Sequence, residues 1–148
     1  MTPEEKQLLL KDLCGRLSYG TEISLVDGTS GMITSISIVL HGTFVTVYFN
    51  RDNVEDVSLE DIKPYLRSMS SMTKEEKKEL SARYVWEITS GKIQIRYHSE
   101  GYWDNDTECQ TEEYLWLFDW LNAHHFDYRG LTEKELALEA PEGMYETE

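Results

Sequence analysis

Asp104, Asp106 and Glu108 stand at alternate positions, the spacing of the first ligands of a calcium loop. The pattern then breaks. Cys109 occupies the place of the glycine that makes such a loop turn, and Leu115 the place of its closing glutamate, so the stretch reads as a solvated acidic loop. His124 and His125, with Asp119 and Asp127 close by, would be the material of a zinc site or an acid–base pair. Adjacent side chains on a helix point about 100° apart, however, and histidine is favoured at a helix C-terminus by the macrodipole alone. Cys14 and Cys109 are far apart and fit no metal spacing, which fits reduced, unpaired thiols. There is no GxSxG, no phosphate-cradling glycine loop and no HExxH, and the sequence calls for no catalytic residue, cofactor or metal. Asn105-Asp106-Thr107 is a glycosylation sequon that matters only in a secreted chain.

The elements that would position these residues centre on Thr111–Tyr128, where Tyr114, Trp116, Phe118, Trp120, Phe126 and Tyr128 fall within eighteen positions. At 100° per residue Tyr114, Leu117, Phe118 and Leu121 share one face, the expected core stripe. Trp116 lies opposite, with Trp120 and Leu115 on the flanks. Either the chain's end folds back over Trp116 and Trp120, or these rings, with Tyr102 and Trp103 from the preceding loop, form an interaction patch.

Earlier in the chain, Thr2-Pro3-Glu4-Glu5 is a capping box, so a helix is expected from Pro3 to about Cys14, with Gly15 as its terminator. Two-residue alternation follows. Glu22–Val26 reads as a strand closed by Asp27-Gly28, and Gly31–Leu40 with Thr43–Phe49 as a hairpin turning at His41-Gly42, pairing Ile38 with Val45 and Ile36 with Val47. With Val54–Leu59 these strands suggest a small SH3-like antiparallel sheet or barrel, whose rim contacts would be Tyr48 and Tyr65. Thr73-Lys74-Glu75-Glu76 opens a second helix. Tyr84–Thr89 and Lys92–Tyr97 form a hairpin around Ser90-Gly91, with Trp86 opposite Ile95, and it needs the aromatic helix to pack on. Leu131, Leu136 and Leu138 suggest a short helix ending at Pro141, and Glu142–Glu148 a frayed end. The expected class is α+β, divided as residues 1–67 and 73–148 or running as one continuous domain.

Charge narrows the function classes. The chain of 148 residues carries 28 acids against 14 bases, a net −14. Residues 1–99 hold 14 acids and 12 bases, whereas residues 100–148 hold 14 acids against only Arg129 and Lys134. That imbalance argues against direct binding to a phosphate backbone. MTPEEKQLLL opens with acids instead of a basic n-region and no stretch reaches membrane-spanning length, so the expectation is a cytoplasmic chain without a membrane partner.

The blocks MTPEEKQLLLKDLCGRLSYG, DIKPYLRSMSSMTKEEKKEL and above all DWLNAHHFDYRGLTEKELALEAPEGMY resemble uncharacterised small proteins of prophages and mobile elements from gut bacteria. The resemblance covers nearly half the chain and leaves out both hairpins. No activity is assigned to that group, so it implies only a context, that of an accessory protein. Three functional readings follow from the residues: a non-enzymatic protein-interaction or regulatory protein; an acidic nucleic-acid mimic, which needs Asp104, Asp106, Glu112 and Glu133 on one surface; and an SH3-like reader of peptide or nucleic acid.

Overall fold

The computed structural model describes residues 1–98 and 107–145, and for 96–98 and 107–113 the backbone alone. Helix α1 (Pro3–Arg16) starts where the capping box places it: the Glu5 N–H donates to Thr2 Oγ1 and the Thr2 N–H to Glu5 Oε2, each at 3.1 Å. It runs through Gly15, whose missing side chain lets Asn122 approach. A Cβ there would lie 3.3 Å from the Asn122 amide nitrogen. The helix tightens into a 3-10 turn over Leu17–Tyr19, and Gly20 at φ +71°, not Gly15, turns the chain into the sheet.

Strands β1 (Glu22–Leu25), β2 (Ser30–Val39), β3 (Gly42–Asn50), β4 (Asn53–Ser58) and β5 (Ile62–Leu66) follow as an antiparallel set, with a 3-10 turn at Leu59–Asp61 before β5. At the β1–β2 corner Asp27 Oδ1 accepts from both the N–H and the hydroxyl of Thr29. The β2–β3 register differs by two residues from the sequence expectation: Val39 pairs with Gly42, and Ile36 with Val45, so Leu40-His41 is the loop. A two-residue slip keeps every side chain on its face. A bulge at Thr34 then exchanges the faces, so Ile33 pairs with Val47 and both are buried.

The α+β class holds, with one addition to the expected antiparallel sheet. Strand β8 (Leu138–Glu139) pairs in parallel with β5, making a mixed sheet of six in the order β4-β3-β2-β1-β5-β8. With β8 on the outer edge of β5, no β4–β5 ladder closes the described strands into a barrel. The short helix expected over Leu131–Leu138 is therefore replaced by turns and this strand.

After a 3-10 turn (Met69–Ser71), helix α2 (Lys74–Ser81) carries a second capping box between Thr73 and Glu76. Strands β6 (Tyr84–Thr89) and β7 (Lys92–His98) form a separate hairpin, with Trp86 on Ile95 as the alternation predicts and Ile88 on Ile93; a bulge then places Val85 opposite Tyr97. Helix α3 spans Thr107–Ala123.

Two apolar clusters result. One joins Leu9 and Leu13 of α1 to Ile23, Ile33, Val45, Val47, Ile62 and Leu66 of the sheet, and it also takes in Leu131, Leu136 and Ala137 from the chain's far end. The other joins Met69, Met72, Leu80 and Tyr84 to Leu117, Trp120, Leu121 and Phe126, with the β6–β7 hairpin against it. The core stripe of α3 is therefore Leu117, Trp120 and Leu121, while Tyr114 and Phe118 of the expected stripe are exposed along with Leu115.

Candidate functional site

The chain segment after α3 is held against the end of β5 by backbone bonds: the Arg67 N–H donates to the His125 carbonyl at 2.7 Å and the Asp127 N–H to the Arg67 carbonyl at 2.8 Å. This fixes the Arg67 side chain beside the first turn of α2. Its guanidinium grips Glu76 with two bonds of 2.7 Å, donates to the carbonyls of His124 and Ser71, and stacks 4.3 Å above the Phe126 ring. Burial alone would raise the pKa of Glu76. Arg67, the Thr73 N–H and the nearby His124 outweigh it and hold the carboxyl down at about 2.

His124 continues the network. Its Nδ1 lies 2.9 Å from Glu76 Oε2 and its Nε2 3.7 Å from Glu79 Oε2, which also accepts the Trp120 indole N–H at 3.0 Å. His125 takes φ +63°, which aims its ring away from that of His124 and onto Tyr145, 3.7 Å between centroids and 14° from parallel. Burial, with the positive charges of Arg16 and Arg67 and with His124 close by, lowers the His125 pKa to about 4, so the ring is neutral at pH 7. It is 8% exposed, and its Nδ1 has no hydrogen-bond partner among the described residues. The Tyr145 hydroxyl accepts the Glu22 N–H at 2.8 Å and donates to the Tyr65 carbonyl at 2.7 Å, and burial pushes its pKa above the usual phenol range.

These groups border a cleft of about 920 Å³ between α2, the end of α3 and the segment Glu139–Tyr145. Glu75, Glu76, Glu79, Glu139 and Glu142 line it, against a single guanidinium, Arg67, already engaged by Glu76. The walls therefore carry more carboxylates than cations, with His124 against Glu76 and the stacked, neutral His125 ring beside them. A surplus of carboxylates at such a surface attracts positive charge, while the Tyr145 and His125 rings are stacked on each other at the cleft's border.

The residues singled out in the sequence are distributed differently. Trp120 is buried beside α2. Trp116 is half-buried, stacked on Trp120 with the Arg83 guanidinium 4.1 Å from its ring. Their cover comes from α2 and β6; Leu131 and Leu136 go to the other cluster. Tyr102, Trp103, Asp104 and Asp106 lie outside the described residues, as does the Glu112 side chain; Glu133 is exposed. Tyr48 is exposed on β3 and Tyr65 half-buried on β5, with β2 and β1 between them and neither bordering the cleft. Asp127 accepts the Leu131 and Thr132 N–H groups and so shapes a turn. Among the described residues no three His, Cys, Asp or Glu side chains are gathered to hold a metal ion, and no helix is long and apolar enough to cross a membrane. Arg67, Glu76, Glu79 and Tyr145 were not legible as site residues: the Thr73–Glu76 spacing signals a helix start, and Tyr145 sits in a stretch whose composition reads as frayed.

Comparison with family models, with curated proteins and with solved structures finds no match to this chain.

Proposed function

We propose that this chain is a non-enzymatic protein-interaction protein, an accessory factor of a mobile element, that takes a basic segment of a protein partner into the cleft beside α2. The observation that supports this most is the five glutamates around a cavity whose one guanidinium is already neutralised. A basic side chain entering it meets Glu75, Glu79, Glu139 and Glu142, since Arg67 and His124 are both turned to Glu76. The net charge of −14 acts in the same direction at long range, speeding the encounter with basic partners.

The test is fluorescence anisotropy with labelled peptides of equal length that are lysine- and arginine-rich, neutral or acidic. The basic peptide should bind, lose affinity as salt rises, and bind at least about tenfold more weakly to the double variant Glu79→Gln/Glu142→Gln, a loss of about 1.4 kcal/mol. Equal binding of basic and neutral peptides, or a double variant that binds as tightly as the parent, would sink the reading.

A further inference from the structure

We propose that the outer edge of β2, from Thr34 to Val39, pairs with the same edge of a second copy of this chain, forming a two-fold symmetric antiparallel ladder centred on Ser37. This surface is separate from the cleft, and the inference stands or falls independently of it.

Strand β1 covers β2 only along Ser30–Met32, and the next amide, Ile33, donates to the Thr21 carbonyl at 3.0 Å. Beyond that point no described residue pairs with this edge. In a hairpin closed by Val39 and Gly42 around a two-residue loop, residues 39, 37 and 35 exchange hydrogen bonds with β3, so Ile36 and Ile38 turn their N–H and C=O groups outward. Open edges in natural sheets are commonly guarded by charge. The opposite edge of this sheet follows that rule, since β4 carries Glu55 and Asp56. The β2 edge does not: Ser30 to Asn50 contains no Asp, Glu, Lys or Arg, in a chain with 42 such residues (28 + 14). Its end is apolar and exposed, with Ile38 at 70% and Leu40 at 94% of full accessibility.

The occupant follows from charge and register. A basic or acidic partner strand finds no counter-charge here. Two copies of a chain at −14 repel one another over most approaches, and this run is where they meet without charge facing charge. The edge is also self-complementary. With Ser37 on the axis, Ile36 lies opposite Ile38 of the second copy, bringing four isoleucines together on one face, while the two Ser37 hydroxyls meet on the other and Ser35 faces Val39. Four backbone hydrogen bonds form, and the Thr34 bulge ends the ladder. Each copy uses the one uncharged open edge among its described residues, and a two-fold pairing occupies both copies' edges, so assembly closes at two.

The experiment uses the full chain with Cys14→Ser and Cys109→Ser. Ser37 on the axis is a non-hydrogen-bonded pair with Cα atoms about 4.5 Å apart, within disulfide range. Mild oxidation of the Ser37→Cys variant should therefore give a covalent dimer. Ser35→Cys should not, because its own copies lie four positions, about 14 Å, apart. Sedimentation of the parent chain should show a mass rising with concentration from 17.3 kDa to twice that value and stopping there. Ile38→Lys, at an exposed position, should stay monomeric with unchanged circular dichroism. A parent mass of 17.3 kDa at every concentration, growth beyond the dimer, or equal cross-linking at positions 35 and 37 would overturn the proposal.

Discussion

The Asp12–Arg16 pair on α1 is wholly buried, with Arg16 donating to Asp12 at 2.7 and 3.1 Å and to the Phe126 carbonyl at 2.6 Å, its guanidinium 5.0 Å from the Tyr128 ring. Arg129 also approaches Asp12, at 3.3 Å, near enough for attraction though not aligned as a hydrogen bond. Removing the carboxylate leaves the Arg16 charge in the interior without its counter-ion. Asp12→Ala should therefore cost about 3–5 kcal/mol in urea unfolding, and a loss below 1 kcal/mol would refute the assignment. In sequence this pair is only an (i, i+4) charge pattern, indistinguishable from a surface one, because the distant Phe126 carbonyl and Tyr128 ring are what bury it. Acid should lower the protein's stability over two pH windows. His125, faced by Arg16, Arg67, His124 and Tyr145, has a folded pKa of about 4 against 6.5 unfolded, so the unfolded chain takes up the proton first and stability falls as pH drops from 6.5 to 4. Glu76, at about 2 against 4.5, contributes stability that is present above pH 4.5 and lost as pH falls toward 2. His125→Asn, which accepts positive φ readily, should flatten the upper window, of order 1–2 kcal/mol after discounting for solvent at the open side of the ring, and leave the lower one. An unchanged slope between pH 6.5 and 4 would exclude His125 as its source.

Among the elements, those set by local chemistry were the legible ones. The Thr2 and Thr73 capping boxes, the Ser90-Gly91 turn and the apolar alternation of β3 act over a few residues and appear in sequence as they act in the fold. Register and facing were less legible. Leu40-His41 rather than His41-Gly42 makes the turn, since Gly42 at φ +151° closes the ladder as its first pair. For α3, apolar on nearly every side, periodicity could not select a buried face, and the choice of Trp120 over Phe118 was made by α2 and the Glu79 carboxylate. Gly31 shows the same dependence on neighbours. A Cβ there would meet the Tyr48 carbonyl oxygen at 2.7 Å, on strand backbone that cannot swing aside, and the buried Val47 Cγ1 at 2.8 Å. Gly31→Ala should destabilise by about 1–3 kcal/mol, read as a lower urea midpoint, although alanine suits a strand better than glycine does. A midpoint at or above that of the parent would show that β2 and β3 can separate locally.

For the whole molecule, the class could be read from capping boxes and apolar alternation and the acidic character from composition, but the cleft could not, because its wall is made by a segment, Glu139–Tyr145, that local propensity marks as loose. Tyr145 holds that segment, and its hydroxyl bridges β1 and β5 across 123 and 80 positions of sequence. Tyr145→Phe should lower stability by about 1–2 kcal/mol and speed hydrogen exchange at the Glu22 amide; exchange as slow as in the parent would show that the bridge is dispensable. The parallel seat of β8 on β5 also bears on synthesis. The cluster built on α1 and the sheet lacks Leu131, Leu136 and Ala137 until synthesis has passed residue 137, and at about 5–20 residues per second the gap from Arg67 to Leu136 lasts on the order of 10 s. During that interval a nascent chain presents the apolar side of an unfinished sheet and the unpaired edge of β5 to its neighbours on a polysome. Chaperone dependence of the newly made protein would then be decided by translation speed through residues 67–136.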